Sequence, residues 1–144
     1  MANKHVSVEA EQIEGFKIEA RAGGHVAHID QPVDSGGTDS GPSPLDYLFI
    51  AEASCIITIG QIIARQQRLP VRSINVKVEG DLDPEVFMGK NKEARAGFTG
   101  IQIIANIDAD LTREEKEKFL AEIHARCPVS DNLMNATPLT FVVA

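Results

Sequence analysis

Two residues of this 144-residue chain stand out for the chemistry open to them: its only cysteines, Cys55 and Cys127. A thiolate is a nucleophile and a metal ligand, and two thiols together can store an electron pair as a disulfide. A zinc site is not indicated, because no C-x-x-C pair or nearby His–Cys cluster supplies four ligands. A disulfide scaffold is not indicated either, since two cysteines are too few and a reducing compartment keeps a purely structural bridge open. Two uses remain. A free cysteine inside an apolar helix serves as a small core hydrophobe, and a thiol pair does redox chemistry.

The surroundings of Cys127 sharpen the choice. In "HARCPVSDN" (124–132) the cysteine closes a helical stretch and Pro128 follows at once. Proline removes a helical hydrogen bond and clashes with the preceding turn, so the helix is expected to end near Cys127, with its thiol reachable at an edge. The negative end of the helix disfavours a thiolate there. Such a thiol is a poor attacking group and a suitable resolving partner, for which access matters more than acidity.

Other potential chemistry is weaker. His25, His28 and Asp30 lie close in sequence, but residues 25 and 28 of a strand point to opposite faces, so no metal is expected. His124, three before Cys127, is placed to meet its thiol or to lie exposed on the helix. The loop "SGGTDSGPS" shares only its glycines with a phosphate cradle and lacks the lysine. Asn135-Ala136-Thr137 matches a glycosylation pattern, read as chance where no secretory leader precedes it.

These residues must be positioned by the elements around them. "HVSVEA" (5–10), "FKIEA" (16–20) and "HVAHI" (25–29) alternate as strands, with Gly23-Gly24 suited to a tight turn, so residues 5–30 are expected to form a β-meander. Residues 31–43 are polar and rich in Gly and Pro, a surface loop. Ser43 as N-cap, Pro44 at the first helical position and Asp46 near the positive end of the dipole then open a helix expected over 44–68. Leu48, Phe49, Ile50, Ile56, Ile57, Ile59, Ile62 and Ile63 make it apolar on nearly every side. A helix of that kind must be buried on every side. Being roughly 36 Å long, it outreaches the cover that one small subunit offers, which predicts a dimer sharing this helix as core.

Further strands are expected over 73–82 and 98–109, with a loop or short turn at 83–97. The Thr112–Glu115 pair forms a capping box for a second helix, in which Phe119, Leu120, Ile123 and Cys127 recur at helical spacing. Ser130 and Asp131 are placed to cap a short helix over "NLMNA", and "LTFVVA" (139–144) alternates as a last strand. The order βββ-α-ββ-α-β lacks a βαβ repeat and predicts an α+β fold in a single domain, 1–144, whose C-terminal β/α half is 72–144.

Composition narrows the function further. Apolar residues make up 43% and charged residues 24%, as in ordinary globular chains. Fourteen Lys and Arg against 21 Asp and Glu give a net charge of −7, which repels phosphate backbones and anionic bilayers, so neither nucleic acid nor membrane is an expected partner. No apolar leader opens the chain, and Glu52 interrupts the most apolar run, so a cytoplasmic protein is expected.

"GPSPLDYLFIAEASC" (41–55) with "CPVSDNL" (127–133), together with "EARAGGHVAHID" (19–30), resembles the OsmC/Ohr family, the osmotically inducible and organic hydroperoxide resistance proteins. The resemblance covers most of the chain. It implies an OsmC-like fold: an intertwined homodimer with two long central helices wrapped by β-sheets and thiol sites at the subunit interface. It also implies a two-cysteine peroxidase needing no cofactor. Cys55 matches the attacking thiol, which cleaves the O–O bond of an organic hydroperoxide and becomes a sulfenic acid. Cys127 matches the resolving thiol, which closes a disulfide that an external dithiol reduces. Arg21 falls where the family places an arginine that stabilises the thiolate. One departure is visible: peroxidatic members carry a glutamate directly after the proline that opens the long helix, where this chain has Leu45 and then Asp46. Glu52, one turn before Cys55 on the same face, needs a partner inside an apolar stretch, and Arg21 is the expected one. Left alone, its charge would raise the Cys55 pKa. The alternative to a peroxidase is an OsmC-fold protein that binds a small apolar ligand at the dimer interface without turnover.

Overall fold

The computed structural model describes residues 2–144. The chain divides into two compact units, one ending at Leu48 and the other covering Phe49–Ala144.

The first unit is an antiparallel meander of β1 (Glu9–Glu14), β2 (Lys17–Ala22) and β3 (His25–Ile29), in that spatial order. The β2–β3 turn is the expected Gly23-Gly24 pair, with Ala22 opposite His25. β1 differs from expectation. The alternation of Val6 and Val8 suggested residues 5–10, yet the strand starts at Glu9 and both valines are exposed. The turn chemistry decides this: Gly15 takes a left-handed φ of 58° and makes a two-residue turn with Phe16, so Glu14 faces Lys17 and the register runs back to Glu9 opposite Arg21. Phe16, expected inside β2, is in that turn.

The loop after β3 holds a 3-10 turn at Val33–Ser35 and is fastened by Asp30, which is fully buried. One carboxylate oxygen of Asp30 accepts from Thr38 N and Oγ1 (3.2 and 2.6 Å) and from Ser40 N and Oγ (3.1 and 2.7 Å), and the other accepts from Gln31 N at 2.7 Å. Gly37 is required here, because a Cβ would sit 2.0 Å from Gln31 O. The hydroxyls of Thr38 and Ser40 hold the Asp30 carboxyl well below the usual carboxylate range. A depressed folded pKa contributes stability above the unfolded value of about 3.9, lost as pH falls through the folded one. We therefore expect Asp30→Asn to melt at a lower temperature than the wild type at pH 7, with the gap narrowing below about pH 4. Circular dichroism melts across pH check this; parallel curves would refute the role.

α1 (Pro44–Gln67) begins as the sequence indicates. Ser43 N and Oγ both donate to Asp46 Oδ2 at 2.8 Å, and Asp46 N donates back to Ser43 Oγ at 3.2 Å.

The second unit contains the rest of α1, β4 (Val71–Asp81), the short α2 (Pro84–Phe87), β5 (Gly100–Ala109), α3 (Arg113–Arg126) and α4 (Pro128–Met134). β4 and β5 form an antiparallel ribbon, Ile74 opposite Ile107. α3 opens with the expected capping box: Glu115 N donates to Thr112 Oγ1 and Thr112 N to Glu115 Oε1. One core joins Ile56, Ile63 and Ala64 of α1 to Ile74, Ile107, Phe119, Ile123 and Cys127. Gly60 allows the close approach, since a Cβ there would lie 2.5 Å from Ile74 Cδ1 and 3.1 Å from Ile123 Cδ1.

Two expectations about apolar segments are not met within one chain. α1 is long and apolar enough to cross a bilayer by length and composition, yet only 28% of its most apolar window is buried, and Leu45, Ile50, Ile57 and Ile62 are exposed. One face packs on the core, and the other is left exposed among the described residues. The segment 139–144 forms no strand; Phe141 is 90% exposed and Val143 is 99% exposed. Strand propensity expresses fit to a pleated, half-buried surface, and this segment rests on none.

Candidate active site

Pro128 does more than stop α3. It occupies the first position of α4, so Cys127, in extended conformation (φ −80°, ψ 114°), ends one helix and caps the next. The cap expected from Ser130 or Asp131 is supplied by the cysteine itself: Ser130 N donates to Cys127 Sγ at 3.4 Å. The same geometry overturns the expected accessibility. Cys127 is only 1% exposed, and Cys55 is the more open of the two. The backbone amide of Cys127 donates to His124 O, while the His124 side chain is exposed and has no hydrogen bond to the thiol.

The helix-stop cysteine and the mid-helix cysteine meet. Cys127 Sγ lies 2.8 Å from Cys55 Sγ, and both are free thiols. The first turn of α4 gives the Ser130 N–H to Cys127 Sγ, and the nearby Val129 amide favours the Cys55 thiolate. For Cys55 this support is outweighed. Burial, then the hydrogen bond with Cys127 and the nearby Cys127 and Glu52, push its thiol up to about 11. At neutral pH Cys55 is thus held protonated, and a reactive thiolate needs a group that stabilises it.

Glu52 is completely buried, one turn before Cys55 on α1. Its Oε1 accepts from Ser130 Oγ, while among the described residues Oε2 has no hydrogen-bond partner. The structure thus brings Cys55, Cys127 and Glu52 together and adds Ser130. No sequence signal short of the second helix start at Pro128 marked Ser130, because its partner is 78 positions away. Arg21 lies on β2 of the first unit, opposite Glu9 and Val26 in register, among Glu9, Glu11 and Glu19.

Comparison with protein families matches residues 37–142 to the family described as OsmC-like protein. The chain belongs to the OsmC-like family. The match takes in both cysteine segments quoted above, in agreement with the resemblance they carry. No curated protein matches the chain. Among solved structures, an OsmC-like protein from Mycoplasma pneumoniae superposes with a TM-score of 0.81 at 18% identity, covering 94% of this chain and 91% of that one. An organic hydroperoxide resistance protein OsmC from Legionella pneumophila gives 0.70 at 20% identity, covering 92% and 91%. The organic hydroperoxide resistance protein OhrB of Bacillus subtilis gives 0.62 at 21%, covering 92% and 93%. At these identities the likeness establishes an OsmC-like fold, mixed in helix and sheet as the α+β reading predicts.

Proposed function

We propose that this OsmC-like protein is a cytoplasmic, homodimeric thiol peroxidase that reduces organic hydroperoxides, with Cys55 attacking and Cys127 resolving. The contact between the two sulfurs, 2.8 Å apart, carries this reading. Two thiols far apart in sequence and touching in the fold are placed for the disulfide that a two-cysteine peroxidase forms. The Cys55 thiolate attacks the terminal peroxide oxygen, an S–O bond forms as O–O breaks, and the alcohol leaves. The Cys127 thiol then displaces water from the sulfenic acid, and an external dithiol reduces the disulfide. In this proposal Arg21 supplies the polarising cation, a role assigned by the family resemblance. The exposed apolar face of α1 (Ile50, Ile57, Ile62) supports a second copy as its cover. The test is peroxide consumption with a dithiol reductant, comparing the wild type with Cys55→Ser; equal, negligible turnover would end the enzyme reading.

One observation favours a different function. Leu45 stands where peroxidatic members have a glutamate, and it is exposed beside further apolar helix surface. A protein that binds a small apolar ligand at its dimer interface, without turnover, fits that substitution. It would take up such a ligand while leaving peroxide untouched.

A further inference from the structure

We propose that Ser130 is the positioning residue of the disulfide step: its amide holds the Cys127 sulfur, and its hydroxyl ties that turn of α4 to Glu52, so the resolving thiol stays against Cys55. This rests on the peroxidase reading above and adds a residue role to it. Ser130 is 2% exposed and is bonded through both its amide and its hydroxyl. Ser130 N donates to Cys127 Sγ at 3.4 Å, and Ser130 Oγ donates to Glu52 Oε1. Glu52 lies one turn before Cys55 on α1. A closed circuit results, from Cys55 along α1 to Glu52, across to Ser130, on to Cys127, and back to Cys55 over 2.8 Å. Among the described residues, Ser130–Glu52 is the one side-chain hydrogen bond that joins α1 to the residues of α4.

Both ends of this tie have a physical reason. Glu52 is completely buried, and its Oε2 has no partner among the described residues. A carboxyl is a costly choice where packing alone is served, so its place here is accounted for by the bond it does make. Cys127 needs the support that this bond transmits. Its backbone is fixed between two helices, its amide donating to His124 O and its carbonyl accepting from Asp131 N. Its side chain keeps one torsion with three staggered wells, and the sulfur meets Cys55 in the one observed. Holding two reacting atoms in one arrangement raises their effective concentration.

The step that gains is condensation. Cys127 Sγ attacks the sulfur of Cys55–SOH, the S–S bond forms as S–O breaks, and the hydroxyl leaves with the Cys127 proton as water. Both electrons were already taken from Cys55 by the peroxide, so no further oxidant enters. Ser130 neither gives nor takes a proton; it acts through the position of Cys127.

The experiment sets the disulfide-to-dithiol ratio of the Cys55–Cys127 pair against a dithiothreitol redox buffer and reads it by thiol alkylation and mass spectrometry. Ser130→Ala is expected to lower the ratio about tenfold, the scale of one net hydrogen bond, which makes the potential about 30 mV less negative. A loss of stability common to both redox states would leave the ratio unchanged. Glu52→Leu breaks the same tie from α1, serves where Ser130→Ala does not fold, and is expected to shift the ratio equally. Glu52→Gln keeps an oxygen for the hydroxyl and is expected to restore most of the loss. In a second arm, one equivalent of cumene hydroperoxide is added with dimedone present: Ser130→Ala is expected to divide between dimedone adduct and disulfide, and the wild type to give disulfide. A Ser130→Ala ratio equal to the wild type would overturn the positioning role, as would a Gln variant as impaired as the Leu variant. A wild type that consumes no peroxide would overturn the peroxidase reading by itself, since the ratio is measured without peroxide.

Discussion

Cys55→Ser is expected to lower dithiol-supported peroxide consumption by about 1,000-fold or more, because a hydroxyl cannot replace a thiolate as the attacking atom. Cys127→Ser is expected to fail differently. The first equivalent of peroxide is consumed at close to the wild-type rate, and the protein then carries a sulfenic acid with no thiol beside it. A sulfenic-acid trap such as dimedone should label this variant stoichiometrically, and the oxidised wild type hardly at all, since there the sulfurs already touch. Mass spectrometry of the two oxidised proteins checks the contrast. If Cys127→Ser lost the first equivalent as completely as Cys55→Ser, the division into attacking and resolving roles would be wrong. If both variants turned over like the wild type, neither thiol would be the nucleophile.

The largest effect on stability is expected from Ile123→Ala. Ile123 is fully buried on α3, with its Cδ1 near Gly60 of α1 and Phe119 beside it in the core. Truncation removes the transfer free energy of the lost methyl groups and leaves a cavity, together about 2–5 kcal/mol. Against a total of roughly 5–15 kcal/mol for a typical domain, that is a large share. Urea unfolding measures it, and a loss below about 1 kcal/mol would mean that the site collapses to fill the space. The consequence reaches the chemistry, because Cys127 follows Ile123 by one helical turn and belongs to the same core. Ile123→Ala should therefore also slow disulfide closure relative to the first oxidation.

How much of this was legible in the sequence depended on the range of the interaction. The start of α1 and the capping box of α3 were readable because their hydrogen bonds join residues three apart: Ser43 with Asp46, Thr112 with Glu115. The fold class followed from the order of such elements, and the two thiols from the resemblance of their local segments. The alternation of Val6 and Val8 points to a strand starting too early, because the left-handed backbone of Gly15, which sets the hairpin register, leaves no mark in that alternation. As a helix stop alone, Pro128 predicts a reachable Cys127. As the first residue of α4 it folds the chain back and buries the sulfur. Ser130 as the partner of Glu52 was invisible, because nothing local joins residues 78 apart. The strand expected over 139–144 failed for a related reason, as an alternating pattern prescribes a surface to rest on and cannot supply one.

One sulfur atom has two duties in this fold. Cys127 Sγ is half of the thiol pair and also the acceptor that closes the first turn of α4 at Ser130 N. Whatever is done covalently to that atom alters what the Ser130 amide can bond to. The solvent-exchange rate of this single backbone proton, followed by deuterium uptake, is thus a label-free gauge of how far the pair has been oxidised.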